Sequence, residues 1–387
     1  CFLSAKPGVP KGIPSPLSCK PVDGKKNQLI LDERRATYYN EKKKKHYTLG
    51  NGNKMSYEKG DDLESFNDEL AALNMRGQWL SDDRRDHGTG GAWKGDVWES
   101  TPRGDAHIWS WKDTEPLLEK SCDAIPESFT ARRSLVFSNP GLERSTTHTM
   151  NVGIQLIKPG ELAWAHRHTI SALRFVIEGH KDLYTVVDGA VCPMADNDLI
   201  LTPNWQWHDH HNQSDGRALW LDVLDGPLIG ALNQTLFENF GQDQQAIRNE
   251  LLPARLHYPW AEIEASLNAL GESDISPNDG YMITYRDPET GGPVVKTMEP
   301  AIQKLPAGFK GAPHRHSSST IYFVIRGSGQ SDVDGKTIKW GARDCFTIPA
   351  WAGHTHQNGS GDEDALLFAA TDGAALRALG LYREEQI

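Results

Sequence analysis

Residues His166–Gly179 read HRHTISALRFVIEG, and residues His314–Gly327 read HRHSSSTIYFVIRG. The two stretches are identical at eight of 14 positions. A second pair lies downstream: Thr202–Asn212 (TPNWQWHDHHN) and Ile348–Asn358 (IPAWAGHTHQN) agree at five of 11. The spacing agrees as well, 40 residues from His168 to His208 and 38 from His316 to His354. A single copy 148 residues away (His166 to His314) is a duplicated domain rather than a short-period solenoid.

Around these motifs the chain reads as all-β. Short apolar runs, Leu135–Phe137, Gly153–Ile157, Leu173–Ile177, Leu183–Val187, Leu199–Leu201 and Ala218–Val223, are divided by Gly, Pro and Asn turns. A second such stretch runs from about 281 to 370. Helical periodicity is confined to three places. Leu63, Phe66, Leu70 and Leu73 follow an Asp61-Asp62 start, and Leu228–Phe237 and Ala261–Leu270 lie between the copies, the latter stopped by Gly271. Residues 77–125, rich in Trp, Gly and Asp, read as covering loops. The expected layout is an extension (1–54), an N-terminal helix with loops (55–125), a first barrel (126–225), a helical linker (226–280) and a second barrel (281–387).

Residues 1–54 carry 12 Lys and Arg against four Asp and Glu, whereas the rest carries 29 against 48. They are either a basic arm for an acidic partner or an upstream extension before the first methionine, Met55. Their lack of sustained period predicts disorder and favours the extension. The net charge of −11 over 387 residues argues against a nucleic-acid partner. No apolar run approaches the roughly 18 residues that a membrane helix requires. Five scattered cysteines form no CxxC pair or disulfide framework, which predicts a cytoplasmic location.

On a strand, residues i and i+2 share a face. His166 therefore projects with His168, and His314 with His316. A later histidine, His208 or His354, completes a three-imidazole face suited to Fe, Zn, Cu or Ni, with positions left open for other ligands. Counting by twos from His168 places Ala172, Arg174 and Val176 on the same inner face. The second copy has Tyr322 where the first has Arg174. A buried guanidinium needs an anion, and arginine grips carboxylate in a planar two-point contact. The first barrel is thus the expected catalytic one, with a metal at His314, His316 and His354 left open. The 12 tryptophans, notably Trp205 and Trp207, read as barrel packing.

The motifs Gly160-x5-His166-x-His168-x3-Ala172-x6-Gly179 and Pro203-x-Trp205-x2-His208-x3-Asn212 resemble those of a cupin barrel, and the second copy fits equally. More narrowly, residues 55–387 resemble the bicupin gentisate 1,2-dioxygenase family, which includes salicylate and 1-hydroxy-2-naphthoate 1,2-dioxygenases. The segments RRSLVFSNPGL (132–142), PGELAWAHRHTISALRFVIEG (159–179) and LTPNWQWHDHHN (201–212) carry this resemblance. It implies a homotetramer or homohexamer with Fe(II) on His166, His168 and His208, which opens a hydroxylated aromatic acid with O2 between its carboxyl- and hydroxyl-bearing carbons. Ala172 and Thr320 replace the glutamate ligand of many cupins, which argues against an isomerase or decarboxylase. Two complete histidine sets argue against a non-catalytic binding protein.

By the same resemblance Arg174 steadies the substrate carboxylate, and His210 and Asp222 line the pocket, His210 moving protons. Gln155 and Gly153 match pocket positions, and Asn151 stands where salicylate-type members carry Trp. Arg132 or Arg133 offers a second anion contact. Gentisate is the expected substrate, with 1-hydroxy-2-naphthoate next.

Overall fold

The computed structural model describes residues 63–75, 91–94, 97–100, 104–125, 133–248 and 252–387. The expectations for residues 1–54 and for Arg132 lie outside them. Two compact units are present, and the larger contains everything from residue 104 onward. The smaller holds the helix Leu63–Ala72. Leu73, expected on its apolar stripe, lies beyond its end and is 70% exposed.

Each copy of the repeat folds as a six-stranded sheet facing a five-stranded one. In the first copy, Asn151–Ile157, Ala172–Glu178, Leu199–Thr202 and Ala218–Leu224 belong to the larger sheet. Leu162–His168, His180–Val187, Ala190–Met194 and His208–Asn212 belong to the smaller. The second copy repeats this with Glu299–Leu305, Thr320–Arg326, Cys345–Ile348 and Ala365–Thr371 against His314–His316, Gly329–Val333, Lys336–Trp340 and His354–Asn358. Two facing antiparallel sheets in this order form the expected jelly-roll barrel, present twice.

Strand alternation explains the packing. On Asn151–Ile157, Val152, Ile154 and Leu156 join one apolar cluster, while Asn151, Gly153 and Gln155 face the other way. That cluster also takes residues from the larger sheet of the second copy, and Phe175 stacks on Phe368 with centroids 4.5 Å apart. The two six-stranded sheets thus pack face to face, and their outer sides line the two barrel interiors. Both copies turn with Asp-Gly, Asp188-Gly189 (φ 46° and 86°) and Asp334-Gly335 (φ 47° and 83°), the positive pairs that a two-residue hairpin requires.

Three parts of the expected layout are corrected. A 14-residue helix, Trp111–Ala124, stands where loops were expected; Ser110 caps it by accepting from the Asp113 N–H, and Leu118 anchors it in the core. The expected helix 228–237 ends at Ala231, and its last residue, Phe237, opens the strand Phe237–Asn239. Residues 226–280 are therefore no separate linker. Phe237–Asn239 pairs with Leu162–His168, and His257–Tyr258 pairs with Leu199–Thr202, so both extend sheets of the first barrel.

The equivalent pieces of the other copy do the same. His107–Trp109 pairs with Cys345–Ile348, and Glu384–Gln386 pairs with His314–His316. The segment that precedes each barrel in sequence thus joins the sheet of the other one. Trp111 N–H donates to Asp344 and Trp260 N–H to Asp198, both at 2.8 Å.

Candidate metal centre and substrate pocket

His166 and His168 lie on one strand and His208 on its antiparallel neighbour, with His208 directly opposite His166. One ring nitrogen from each lies within 4.8 Å of the others. The Nδ1 atoms are held by backbone carbonyls: Trp164 at 2.7 Å, Ile170 at 2.6 Å and Gln206 at 3.0 Å. Each Nδ1–H donates, so each Nε2 is left bare and faces its fellows. His208 Nε2 is buried with no hydrogen-bond partner. Burial pushes His166 and His168 down to about 4 and His208 well below its ordinary value. Three neutral imidazoles converging on one point fit a first-row divalent metal.

The turn that delivers His208 is locked to the same strands. Trp205 takes a left-handed φ of 65°, and its N–H donates to the His168 carbonyl at 2.7 Å. Trp351 repeats this with His316 at 2.8 Å. Trp205 and Trp207 are not barrel packing, a correction to the expectation. The Arg167 guanidinium lies over both rings, at 4.4 Å and 4.3 Å, because the residue between two inward histidines must point outward.

Arg174 is inside the barrel, 4% exposed. Its charge is felt at His166, His168, His208 and His210. Asp222, opposite it on the neighbouring strand, is the anion that accompanies it. Arg174 Nε lies 3.1 Å from Asp222 Oδ1, yet neither atom has an aligned hydrogen bond. Arg174 Nη1 also donates to Thr202 Oγ1. Burial pushes the Asp222 carboxyl up, and Arg174 opposes that shift. A guanidinium in ionic contact but imperfectly bonded keeps donor capacity for a second carboxylate.

His210 is buried on the strand His208–Asn212. Its Nδ1 lies 2.6 Å from Thr185 Oγ1, and the Thr185 hydroxyl donates to Met194 Sδ at 3.2 Å. The hydroxyl therefore accepts from Nδ1–H and leaves Nε2 as a base. Burial, with Arg174 adding to it, holds His210 well below its ordinary value. Gln155 and Asn151 share the inward face, and Gln155 Nε2 and Asn151 Oδ1 are buried without partners.

One expected substrate contact is placed elsewhere. Both terminal nitrogens of Arg133 donate to Glu161, at 2.6 Å and 2.7 Å, so its planar fork is already taken. At Gly153 a Cβ would lie 2.6 Å from the Leu135 carbonyl oxygen, so this glycine lets the strand Arg133–Val136 close onto it. Sequence reasoning missed Thr185, Thr202 and Phe237. The Phe237 ring stacks 5.2 Å from His166, and only the pairing of Phe237–Asn239 with the ligand strand brings it there.

In the second barrel one ring nitrogen from each of His314, His316 and His354 again lies within 4.8 Å of the others. Beneath them Tyr322 and Ala369 hold the places of Arg174 and Asp222, and Tyr322 stacks on Phe346 at 4.9 Å.

The Cupin domain family model matches residues 153–224 and 301–370. The chain is 40% identical over 346 residues to a 1-hydroxy-2-naphthoate 1,2-dioxygenase of Nocardioides sp. (strain KP7), spanning 84% of this chain and 87% of that protein. The chain belongs to the bicupin 1,2-dioxygenase family. Its members open aromatic rings, and this chain is an oxidoreductase of that kind. A 5-aminosalicylate 1,2-dioxygenase of Comamonas sp. is 36% identical over 84% of this chain and 90% of its own length. A gentisate 1,2-dioxygenase of Haloferax sp. is 35% identical over 73% and 88%. Among solved structures, the salicylate 1,2-dioxygenase of Pseudaminobacter salicylatoxidans superposes with a TM-score of 0.73 at 26% identity, covering 86% of this chain and 99% of that one. Among the described residues, no helix is long and apolar enough to cross a membrane.

Proposed function

We propose that the first barrel opens the ring of an aromatic acid bearing a hydroxyl beside its carboxylate. The observation that carries this reading is the buried Arg174–Asp222 pair beside the His166, His168 and His208 face, replaced by Tyr322 and Ala369 in the second barrel. His166, His168 and His208 would hold Fe(II), which would supply Lewis acidity and redox chemistry for the reaction of the ring with O2.

The remaining chemistry belongs to the chain. The backbone carbonyls fix the imidazole rings and their tautomers. Arg174 takes the substrate carboxylate in a two-point contact, with Asp222 and Thr202 orienting the guanidinium. His210 Nε2 takes the hydroxyl proton and returns it as the ring opens. Gln155 Nε2 supplies a donor on the opposite wall, and Phe237 screens the imidazoles from water.

Within this class, 1-hydroxy-2-naphthoate is the first substrate to try, ahead of gentisate. The relative of that name is 40% identical over 84% of the chain, and Asn151 is smaller than the Trp of salicylate-type members. A reducing cytoplasm suits Cys122, Cys192 and Cys345, which are all free. Assembly into a homotetramer or homohexamer suits the exposed Leu232, Leu236, Leu379 and Leu381. An oxygen electrode with the Fe(II)-loaded chain and 1-hydroxy-2-naphthoate, gentisate and salicylate in turn tests the reading. Oxygen uptake with at least one, abolished by His208→Ala, is expected; no uptake with any of them overturns it.

A further inference from the structure

The second barrel repeats the three-histidine face but lacks the Arg174–Asp222 pair beside it, and we infer that it is a separate divalent-cation site with a structural task, distinct from ring opening. His316 and His354 Nδ1 atoms lie 2.8 Å and 2.9 Å from the Ser318 and Ala352 carbonyls, with His314 Nδ1 at 3.3 Å from Ala312, so here too the Nε2 atoms are turned inward. His354 is 2% exposed, and its Nε2 is buried with no hydrogen-bond partner. Bare nitrogens buried side by side are costly unless they share a cation.

What surrounds this face differs from the first barrel in three ways. Asp279 Oδ1 lies 3.6 Å from His314 Nε2, which puts a carboxylate beside the site. Glu384 sits opposite His316 in the strand register, the place that Phe237 holds opposite His168. In place of Arg174 stands Tyr322, packed with Phe346, Trp340 and Ala369 in one apolar cluster. Carboxylates beside the ion offset its charge and so remove the attraction for an anionic substrate. Tyr322 leaves no cationic anchor where Arg174 stands in the first copy. Three imidazoles with a nearby carboxylate are a donor set for Zn²⁺ as well as for Fe²⁺. The strand Glu384–Gln386 pairs with His314–His316 alone. An ion joining His314 and His316 to His354 therefore steadies the strand on which this edge rests.

The test counts ions by plasma mass spectrometry on the full chain loaded with Zn²⁺. Two ions per chain are expected for the wild type, one each for His208→Ala and His354→Ala, and none for the double variant. Asp279→Asn, with an unchanged circular dichroism spectrum, should bind the second ion about 10- to 100-fold more weakly in competition with a chromophoric chelator. Iron-loaded His354→Ala should keep oxygen uptake while its melting temperature falls. One ion per chain in the wild type, an Asp279→Asn affinity equal to wild type, or oxygen uptake surviving in His208→Ala and lost in His354→Ala would each overturn the inference. The ion count needs no aromatic substrate, so it stands apart from the ring-opening reading.

Discussion

On the proposed reading, Arg174 and the three histidines of the first barrel are the residues on which the chemistry turns. If Arg174 holds the substrate carboxylate, Arg174→Ala leaves the iron content near normal. It costs about 2–5 kcal/mol of transition-state stabilisation, on the order of 30- to several-thousand-fold in kcat/KM. A ring substrate lacking the carboxylate should lose little further with the variant; equal losses for both substrates would assign Arg174 to folding instead. Because Asp222 is left unpaired in Arg174→Ala, the double variant Arg174→Ala/Asp222→Ala should regain stability without regaining turnover. The histidines set a pH dependence. His166 and His168 are depressed to about 4 by burial, whereas the unfolded chain protonates them near their ordinary value of 6.5. The unfolded state thus binds more protons between those limits, and stability falls as pH drops through that window. For metal-free protein the loss should approach about 1.4 kcal/mol per pH unit per histidine. Urea titrations at pH 7, 6 and 5 measure it, and a flat profile would show that the imidazoles stay accessible to protons in the fold.

At the scale of elements, the segments after the ligand strands are clamped across the barrel interface. Asp225 accepts from the Ser171 N–H at 2.8 Å and from Thr297 Oγ1, of the second copy, at 2.6 Å. Asp372 repeats this with the Ser319 N–H at 2.9 Å and Thr149 Oγ1, of the first copy, at 2.6 Å. Each barrel thus completes the other's buried carboxylate, whose serine N–H donor lies three residues after a histidine of the three-imidazole face. Thr297→Val leaves one Asp225 oxygen unpaired and should destabilise the chain by about 1–3 kcal/mol. It should also weaken first-site metal retention, since His168 Nδ1 leans on the Ile170 carbonyl just before Ser171. Chemical denaturation and a chelator challenge read the two effects separately, and an unchanged midpoint would remove the clamp from consideration.

For the whole molecule, the two copies are interlocked rather than joined by a tether. The second barrel takes His107–Trp109 as an edge strand and the Trp111 N–H on Asp344, so residues 252–387 by themselves lack part of their own sheet. That fragment should show no cooperative urea transition when expressed alone, and should recover one when co-expressed with residues 55–251. Independent folding of the fragment would mean that the exchanged strands only decorate finished barrels. The shared core between the six-stranded sheets, with Phe175 on Phe368, points the same way, because each barrel alone would expose that face to water.

The sequence by itself determined the duplication, the all-β class, both three-histidine faces and the inward direction of Arg174. Each of these rests on a period of two along a strand, or on a local motif present twice. Only the tertiary structure decided that Asp222 accompanies Arg174, that Glu161 occupies Arg133, that Phe237 and Glu384 wall the two faces differently, and that Phe237–Asn239 and His257–Tyr258 join the first barrel's sheets. Those facts depend on which strands become neighbours and in what register. Hydrogen bonding between segments far apart in the chain sets both, and it leaves no periodic trace in either segment.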